Sequence, residues 1–259
     1  MSDWTGQFVS SQGDGDTFVA SRPTASNGRL FGGLVAAQAL AAAGATVAVD
    51  KLPQSLHAYF LRGGEPGVDV ELSVERTRIG RSFDVRTVTA TQSGAVILKM
   101  MASFHSEEPA ADWQPSAPVA IPLKESIPAR MTGELGSSFE IRVSADSGGR
   151  FAGLPFWLKA RGPIPDDPLT RACALTFISD LGLMAAARVP GSPPITDRTS
   201  GASLDHALWF HRPYRPEKWH YYHSMPLNGN DSRGLATGSL YDAQGALIAT
   251  VTQEALWRY

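Results

Sequence analysis

The chain has 259 residues, of which 43% are hydrophobic and 19% are charged, and this composition is typical of a soluble globular protein. Its formal net charge of −2 offers no basic field to attract phosphate groups, so we expect no nucleic-acid partner. A single cysteine, Cys173, excludes a disulfide framework and a zinc site built from cysteines.

The N-terminal stretch is polar. Residues 1–18, MSDWTGQFVSSQGDGDTF, lack the apolar core of a secretory signal, and no run of 18 or more apolar residues occurs in the chain. The sequence therefore predicts a protein without a membrane span that works in the cytoplasm.

The first long predicted element is an apolar helix. The stretch FGGLVAAQALAAAGATVAV (31–49) is rich in alanine and almost free of charge, and a helix that is apolar on nearly all sides should be buried. Strands follow it. GVDVELSVERT (67–77) alternates apolar and polar residues with the period of a strand, and TQSGAVILKMMAS (91–103) carries the turn residues of a hairpin.

A second series of elements begins after a change in composition. Residues 107–128 are rich in proline and alanine and show no periodicity, which predicts a linker. Beyond it, FEIRVSAD (139–146) and FWLKARG (156–162) are predicted strands. They precede a second apolar helix, PLTRACALTFISDLGLMAAARV (168–189).

Parts of the chain are repeated. SLHAYFLR (55–62) resembles SLDHALWFHR (203–212), and TQSGAVILKMMAS resembles DAQGALIATVTQE (242–254). The match sets His57 against His206, and each mismatch adds one residue to the second copy, as a β-bulge or a longer turn would. We therefore predict two fused helix-plus-sheet units. Edge-to-edge pairing would give one continuous antiparallel sheet with both helices on its concave side.

Several motifs together resemble those of the type II acyl-CoA thioesterases, the TesB-like family. They are NGRLFGG (27–33), HAYFLRGG (57–64), GRSFDVRTVTATQSG (80–94), SDLG (179–182), LDHALWFHRP (204–213), SRG (232–234) and TQEAL (252–256). The resemblance implies an α+β double hotdog fold. Its parts would be an N-terminal hotdog over residues 1–106, a linker over 107–135 and a C-terminal hotdog over 136–259.

The resemblance also implies an activity and its residues. The family hydrolyses fatty acyl-CoA to the free acid and CoA without a metal or an organic cofactor, and double hotdog units associate further into homo-oligomers through their sheets. By motif, Asp180, Ser203 and Gln253 correspond to the family's catalytic trio. The resemblance implies that these three hold and activate a water that attacks the thioester carbonyl.

The residues themselves leave alternatives open. Asp180 lies among apolar residues, where a buried carboxylate costs several kcal/mol unless it is paired. It is either a general base, or Ser179 and Asp180 form a helix cap or an exposed edge. Gln253 is the polar member of an apolar strand face, either a functional donor or a structural amide. Ser203 lies in no G-x-S-x-G elbow, which favours a hydroxyl that positions water over an acylated nucleophile.

An oxyanion site is also needed. The backbone N–H groups of Gly33 and Leu34, at the start of the first helix, are candidates; alternatively, Gly32 and Gly33 only permit close packing of helix and sheet. Leu34 stands where the family often has glutamine. His57 is a candidate substrate-binding residue, and His206 is interpreted as structural.

Three other functions remain possible interpretations of the sequence. The first is a hotdog hydratase acting on acyl thioesters, although the chain has no D-x-N-P-x-H pattern. The second is a non-catalytic acyl-CoA-binding protein, which would bind without turnover. The third is an assembly module with a vestigial pocket, which would do neither.

Overall fold

The computed structural model describes residues 4–8, 10–20, 28–130, 138–192 and 200–258. The helices are α1 (Gly32–Gly44), α2 (Pro168–Ser179) and the short α3 (Leu183–Ala186). The strands are β1 (Ser10–Gln12), β2 (Thr17–Ala20), β3 (Lys51–Phe60), β4 (Val70–Ile79), β5 (Phe83–Gln92), β6 (Ala95–Ser106), β7 (Ile127–Pro128), β8 (Phe139–Val143), β9 (Phe156–Ala160), β10 (Ser200–Ser203), β11 (Asp205–Phe210), β12 (His220–Asn230), β13 (Arg233–Asp242) and β14 (Leu247–Arg258).

The strands form one antiparallel sheet. Their order is β1-β2-β4-β5-β6-β3-β11-β14-β13-β12-β9-β8-β7, with β10 paired to β14. We call β1–β6 with α1 the first unit, and β7–β14 with α2 and α3 the second unit. The units join where β3 pairs with β11, from Ser55 opposite Trp209 to Tyr59 opposite Asp205. The predicted double hotdog fold with one continuous sheet is confirmed.

Helix α1 is the buried centre of the first unit. Its residues from Gly33 to Leu40 are all buried, as expected for a helix without a polar face. It ends at Gly44, before the predicted end at Val49, because the Thr46 N–H and hydroxyl both donate to the Ala43 carbonyl, at 3.1 and 2.8 Å. Val49 itself is 99% exposed.

The second predicted helix is divided in two. The first part, α2, begins at Pro168 as predicted. Asp167 caps it by accepting a hydrogen bond from the Thr170 N–H at 2.7 Å, and Pro168 occupies the first turn. It breaks after Ser179, because Gly182 adopts the left-handed conformation (φ 75°) that favours glycine. Asp180 therefore lies at the C-cap of α2, not inside a continuous helix.

One helical segment of the described residues, Pro168–Ala186, is long and apolar enough by length and composition to cross a membrane. However, 61% of its apolar window is buried inside the protein, and α2 packs directly against α1. This is the behaviour of a core helix.

The described part of the predicted linker, residues 107–130, lies against the second unit. Asp112 pairs with Arg212, and Gln114 bonds both the Gly245 carbonyl and the Leu247 N–H, each at 2.7 Å. Ile127–Pro128 adds β7 to the edge of the sheet beside β8. None of these linker residues lines the cavity described below.

Candidate active site

A cavity opens where the two units separate. The Phe60 N–H donates to the Leu204 carbonyl at 3.0 Å, but the next two N–H groups, of Leu61 and Arg62, both turn to the Ile97 carbonyl. On the other side, Ser203 stays paired with Ala255 of β14. The strands thus diverge around a cavity of about 560 Å³. Its apolar lining includes Leu30, Phe31, Val35, Phe60, Ile97, Leu98, Met184 and Trp257.

Asp180 is the acid of this cavity. It is only 7% exposed, and its Oδ2 accepts a hydrogen bond from the Gly33 N–H at 2.9 Å. Burial raises its pKa, while the charge of His206 and hydrogen bonds from Gln253 and Gly33 lower that pKa without cancelling the rise. A carboxylate with a raised pKa is a better proton acceptor than an ordinary one, which suits a general base.

Ser203 and Gln253 lie beside the acid. Ser203 is partly buried and lines the cavity with Asp180, whereas Gln253 is fully buried behind it. The Gln253 Nε2 donates to the Ser203 Oγ at 2.8 Å, and the Gln253 Oε1 lies 2.6 Å from the His206 Nδ1. The structure therefore brings Asp180, Ser203 and Gln253 together in one polar group beside the apolar part of the cavity lining.

The two glycines at the start of α1 allow this approach. A Cβ on Gly33 would lie 2.5 Å from the Phe177 carbonyl oxygen of α2, and one on Gly32 would lie 3.0 Å from the Asp180 Oδ2. The close packing at Gly33 is thus between the two helices. At Gly32 a Cβ would also lie 3.0 Å from the Phe60 ring of β3, so the expected close packing of helix and sheet is present there as well. Without side chains at these positions, the C-terminus of α2 can place its acid against the first turn of α1.

The predicted oxyanion donors need correction. The Gly33 N–H is bonded to Asp180, and the Leu34 N–H donates to the Phe31 carbonyl at 3.1 Å. Neither N–H is free to bind a substrate oxygen in this structure. The Gly33 N–H orients the acid instead, and of the two glycines at the start of α1, Gly32 lines the cavity.

The interpretation of His57 as a substrate-binding residue is not supported by its position. His57 is exposed on the opposite face of the sheet, with its ring centre 5.1 Å from that of Trp209, and it is not part of the cavity lining. His206 pairs across the strands with Ala58, so the two histidines that match in sequence face opposite sides. A shift of one residue between the copies reverses the face of a strand residue.

Sequence reasoning missed two residues behind the site. The Ser179 Oγ lies 2.8 Å from the His206 Nε2, and the Tyr222 hydroxyl donates to the Ser179 carbonyl at 2.6 Å. Burial raises the pKa of Tyr222 well above its ordinary value, so its hydroxyl keeps the proton that it donates. The only signal for Tyr222 was a buried position in an alternating strand, which many core residues share.

Two arginines at the mouth were also missed. Arg62 and Arg29 are exposed and line the cavity. The arginine at the end of the second repeated strand differs: Arg212 pairs with Asp112 of the linker and lies outside the cavity lining. Within the ranges that the structure describes, no group of three or more His, Cys, Asp or Glu side chains is arranged to hold a metal ion.

Comparisons with known proteins agree across both units. The family described as "Acyl-CoA thioesterase" matches residues 138–256, and "Acyl-CoA thioesterase N-terminal domain" matches residues 20–105. The chain is 33% identical to acyl-coenzyme A thioesterase 8 from Homo sapiens, over 89% of this chain and 81% of the relative. It is 31% identical to acyl-CoA thioesterase 2 from Haemophilus influenzae, over 89% of this chain and 88% of that protein.

A solved structure shows the same likeness. The acyl-CoA thioesterase II TesB2 from Mycobacterium marinum superposes with a TM-score of 0.82 and 34% sequence identity. The match covers 98% of this chain and 96% of that one.

Proposed function

Because the chain belongs to the TesB-like type II acyl-CoA thioesterases, we propose that it hydrolyses fatty acyl-CoA with a water held by Asp180, Ser203 and Gln253. The observation that carries this proposal is the buried Asp180, whose pKa is raised and which lines the same cavity as the Ser203 hydroxyl. The apolar walls suit an acyl chain, and the few polar groups converge at one point, where a thioester carbonyl would react.

The proposed reaction has two steps. Asp180 takes a proton from water while the water oxygen bonds to the thioester carbonyl carbon, and negative charge develops on the carbonyl oxygen. The first turn of α1, at Gly32, offers the positive end of the helix dipole to that charge. The C–S bond then breaks, the proton passes from Asp180 to the CoA sulfur, and the free acid and CoA leave.

The mouth of the cavity suits the CoA part of the substrate. Arg62 is exposed there, and none of the ion pairs within the described residues includes it. A guanidinium is a strong partner for phosphate oxygens, so we assign Arg62 to the phosphate groups of CoA.

The outer face of the sheet carries a second proposal, that the protein forms a homo-oligomer through its hotdog sheets. Tyr59 is 63% exposed and Met101 is 50% exposed on strands beside the junction of the two units. Light scattering on the purified protein tests it: a mass of one 27.7 kDa chain would contradict association. A location in the cytoplasm stays a prediction.

CoA release from a panel of acyl-CoAs tests the reaction. The panel runs from acetyl-CoA to stearoyl-CoA and includes branched and aromatic acyl groups, with wild type and Asp180→Asn side by side. We expect turnover by wild type that falls about 10²- to 10⁴-fold in the variant. Tight acyl-CoA binding by calorimetry without turnover on any substrate would instead identify a non-catalytic binding protein.

A further inference from the structure

A buried histidine stands directly behind the proposed trio. His206 is 1% exposed, and both ring nitrogens are engaged: Nδ1 lies 2.6 Å from the Gln253 Oε1, and Nε2 lies 2.8 Å from the Ser179 Oγ. The ring does not line the cavity, so it has no access to a substrate. Among the three residues of the trio, its hydrogen bond is to Gln253.

The Gln253 amide can serve Asp180 and Ser203 in only one orientation. A carboxylate accepts hydrogen bonds and cannot donate them, so the end of the amide that faces Asp180 must be the NH₂ group. This group also donates to the Ser203 Oγ. The carbonyl end then points at the His206 Nδ1, and an amide oxygen accepts only, so Nδ1 must carry a proton.

The same turn of the chain anchors the histidine and supplies the acid. Ser179, which holds the His206 Nε2, directly precedes Asp180 at the end of α2. The Tyr222 hydroxyl fixes the Ser179 carbonyl at 2.6 Å. Gly238 makes room for that hydroxyl, because a Cβ there would lie 2.6 Å from it. Any displacement of this turn would therefore move the acid and the histidine together.

We propose that His206, protonated at Nδ1, is a positioning residue that fixes the Gln253 amide with its NH₂ group toward Ser203 and Asp180. A turned amide would present its oxygen to the cavity, and the Ser203 hydroxyl would then donate to that oxygen instead of to the water. This inference rests on the proposed function and adds a residue that the family's trio does not include.

Two substitutions of His206 separate its two hydrogen bonds. The side-chain nitrogen of asparagine is as many bonds from the backbone as the histidine Nδ1, so asparagine can replace the donor to Gln253. The side-chain nitrogen of glutamine is as many bonds from the backbone as the histidine Nε2, so glutamine can replace only the contact with Ser179. We expect His206→Gln to lower kcat about 10- to 100-fold with KM nearly unchanged, since the Gln253 oxygen loses its donor. His206→Asn keeps a donor for Gln253 and should recover most of kcat. His57→Gln, at the matching position of the first repeat, is the control and should behave as wild type.

A double-mutant cycle tests whether His206 acts through Gln253 alone. In a Gln253→Ala background, His206→Gln should cause no further loss of kcat, because the amide that it orients is absent. An additional loss there as large as in wild type would assign His206 a general structural role and overturn the proposal. Equal activity of His206→Gln and wild type would also overturn it.

Two further measurements keep the result unambiguous. Nitrogen-15 NMR of the wild-type histidine rings needs no substitution: a His206 Nδ1 without a proton would overturn the proposal even if a variant fails to fold. Asp180→Asn is assayed in parallel. If Asp180→Asn keeps full activity, the proposed trio itself is wrong; if Asp180→Asn is inactive and His206→Gln is fully active, only the role of His206 is wrong.

Discussion

The two units carry different chemistry on corresponding rows of their sheets. In the first unit, Arg86 of β5 pairs with Ala102 of β6, which pairs with Leu56 of β3. In the second unit, Ala236 of β13 pairs with Gln253 of β14, whose side chain bonds His206 of β11. The large polar side chain is thus on a different strand in each unit.

The polar cluster of the first unit is closed. Arg86 is 1% exposed, and its guanidinium donates to the Thr46 Oγ1 at 2.8 Å and to the Asp84 Oδ2 at 3.1 Å. Lys51 bonds the other oxygen of Asp84 at 2.6 Å. Burial alone would raise the pKa of Asp84, but the Lys51 hydrogen bond, the Gly80 N–H and the charges of Lys51 and Arg86 leave that pKa below its ordinary value.

The cluster of the second unit is open to the cavity. Asp180 is bonded by the Gly33 N–H rather than by a lysine or an arginine, and its pKa is raised. A buried acid held between two cations stays ionised and stabilises the fold. A buried acid without such cations is a base ready to take a proton. The comparison of Asp84 with Asp180 therefore predicts which unit reacts.

The largest expected effect on kcat comes from giving the second unit the apolar residues that the first unit has at the corresponding sheet positions. His206→Leu with Gln253→Ala reproduces Leu56 and Ala102, and we expect kcat to fall about 10²- to 10⁴-fold because the water loses its orientation. Thermal unfolding should shift downward as well, because Gln253→Ala leaves a cavity at a fully buried position, so kcat is compared per folded molecule. Activity within tenfold of wild type would show that catalysis does not need the side chains of His206 and Gln253.

Loss of the buried arginine of the first unit should lower stability and leave catalysis unchanged. Arg86→Leu removes the guanidinium donor of the Asp84 Oδ2 and of the Thr46 carbonyl, while Lys51 still bonds the Asp84 Oδ1. It should cost about 3 kcal/mol of unfolding free energy, measured in denaturant. Arg76→Leu, which removes an exposed partner of Asp16, is the control and should leave stability nearly unchanged. A loss of kcat in folded Arg86→Leu would contradict the division between the units.

The two arginines that follow the repeated strands give a smaller contrast. Arg62→Ala should raise KM for acyl-CoA roughly threefold to tenfold, because a phosphate loses a charged donor. Arg212→Ala should leave KM unchanged, since Arg212 is already paired with Asp112. Steady-state kinetics on one acyl-CoA measures both, and equal KM values for the two variants would remove the assigned role of Arg62.

The pH dependence of the rate should sharpen the assignment of Asp180 as the base. The base must be ionised to act, so kcat/KM should fall as pH falls through the raised pKa of Asp180. The midpoint should lie above the ordinary aspartate pKa of about 3.9. A midpoint at or below that value, in protein that stays folded, would assign the fall of kcat/KM at low pH to a different group.

Much of this architecture was predictable from local pattern. The apolar helices, the alternating strands and the repeat specify two units and one sheet, because burial of the helices leaves few other arrangements. The motifs placed Asp180, Ser203 and Gln253 on separate elements, and the structure brings them together at one cavity. These features depend on residue type and order, which the sequence contains directly.

Other features depend on registers and close contacts that sequence does not contain. The match of His57 with His206 misled because a one-residue shift changes the face of a strand. The Gly33 N–H was expected to bind substrate, yet it bonds an acid that lies far away in the chain. The role of Gly182 in ending the helical run before α3 required its backbone angle, since glycine is also tolerated within helices.

The most direct test compares the two buried acids in one experiment, with kcat and unfolding free energy measured for Asp180→Asn and Asp84→Asn. We predict that Asp180→Asn loses about 10²- to 10⁴-fold in kcat. Its stability at neutral pH should be kept or increased, because a raised pKa means that ionised Asp180 costs the folded state more than the unfolded one. Asp84→Asn should keep kcat per folded molecule and lose about 3 kcal/mol of stability. Loss of catalysis in folded Asp84→Asn, or full activity of Asp180→Asn, would contradict the account.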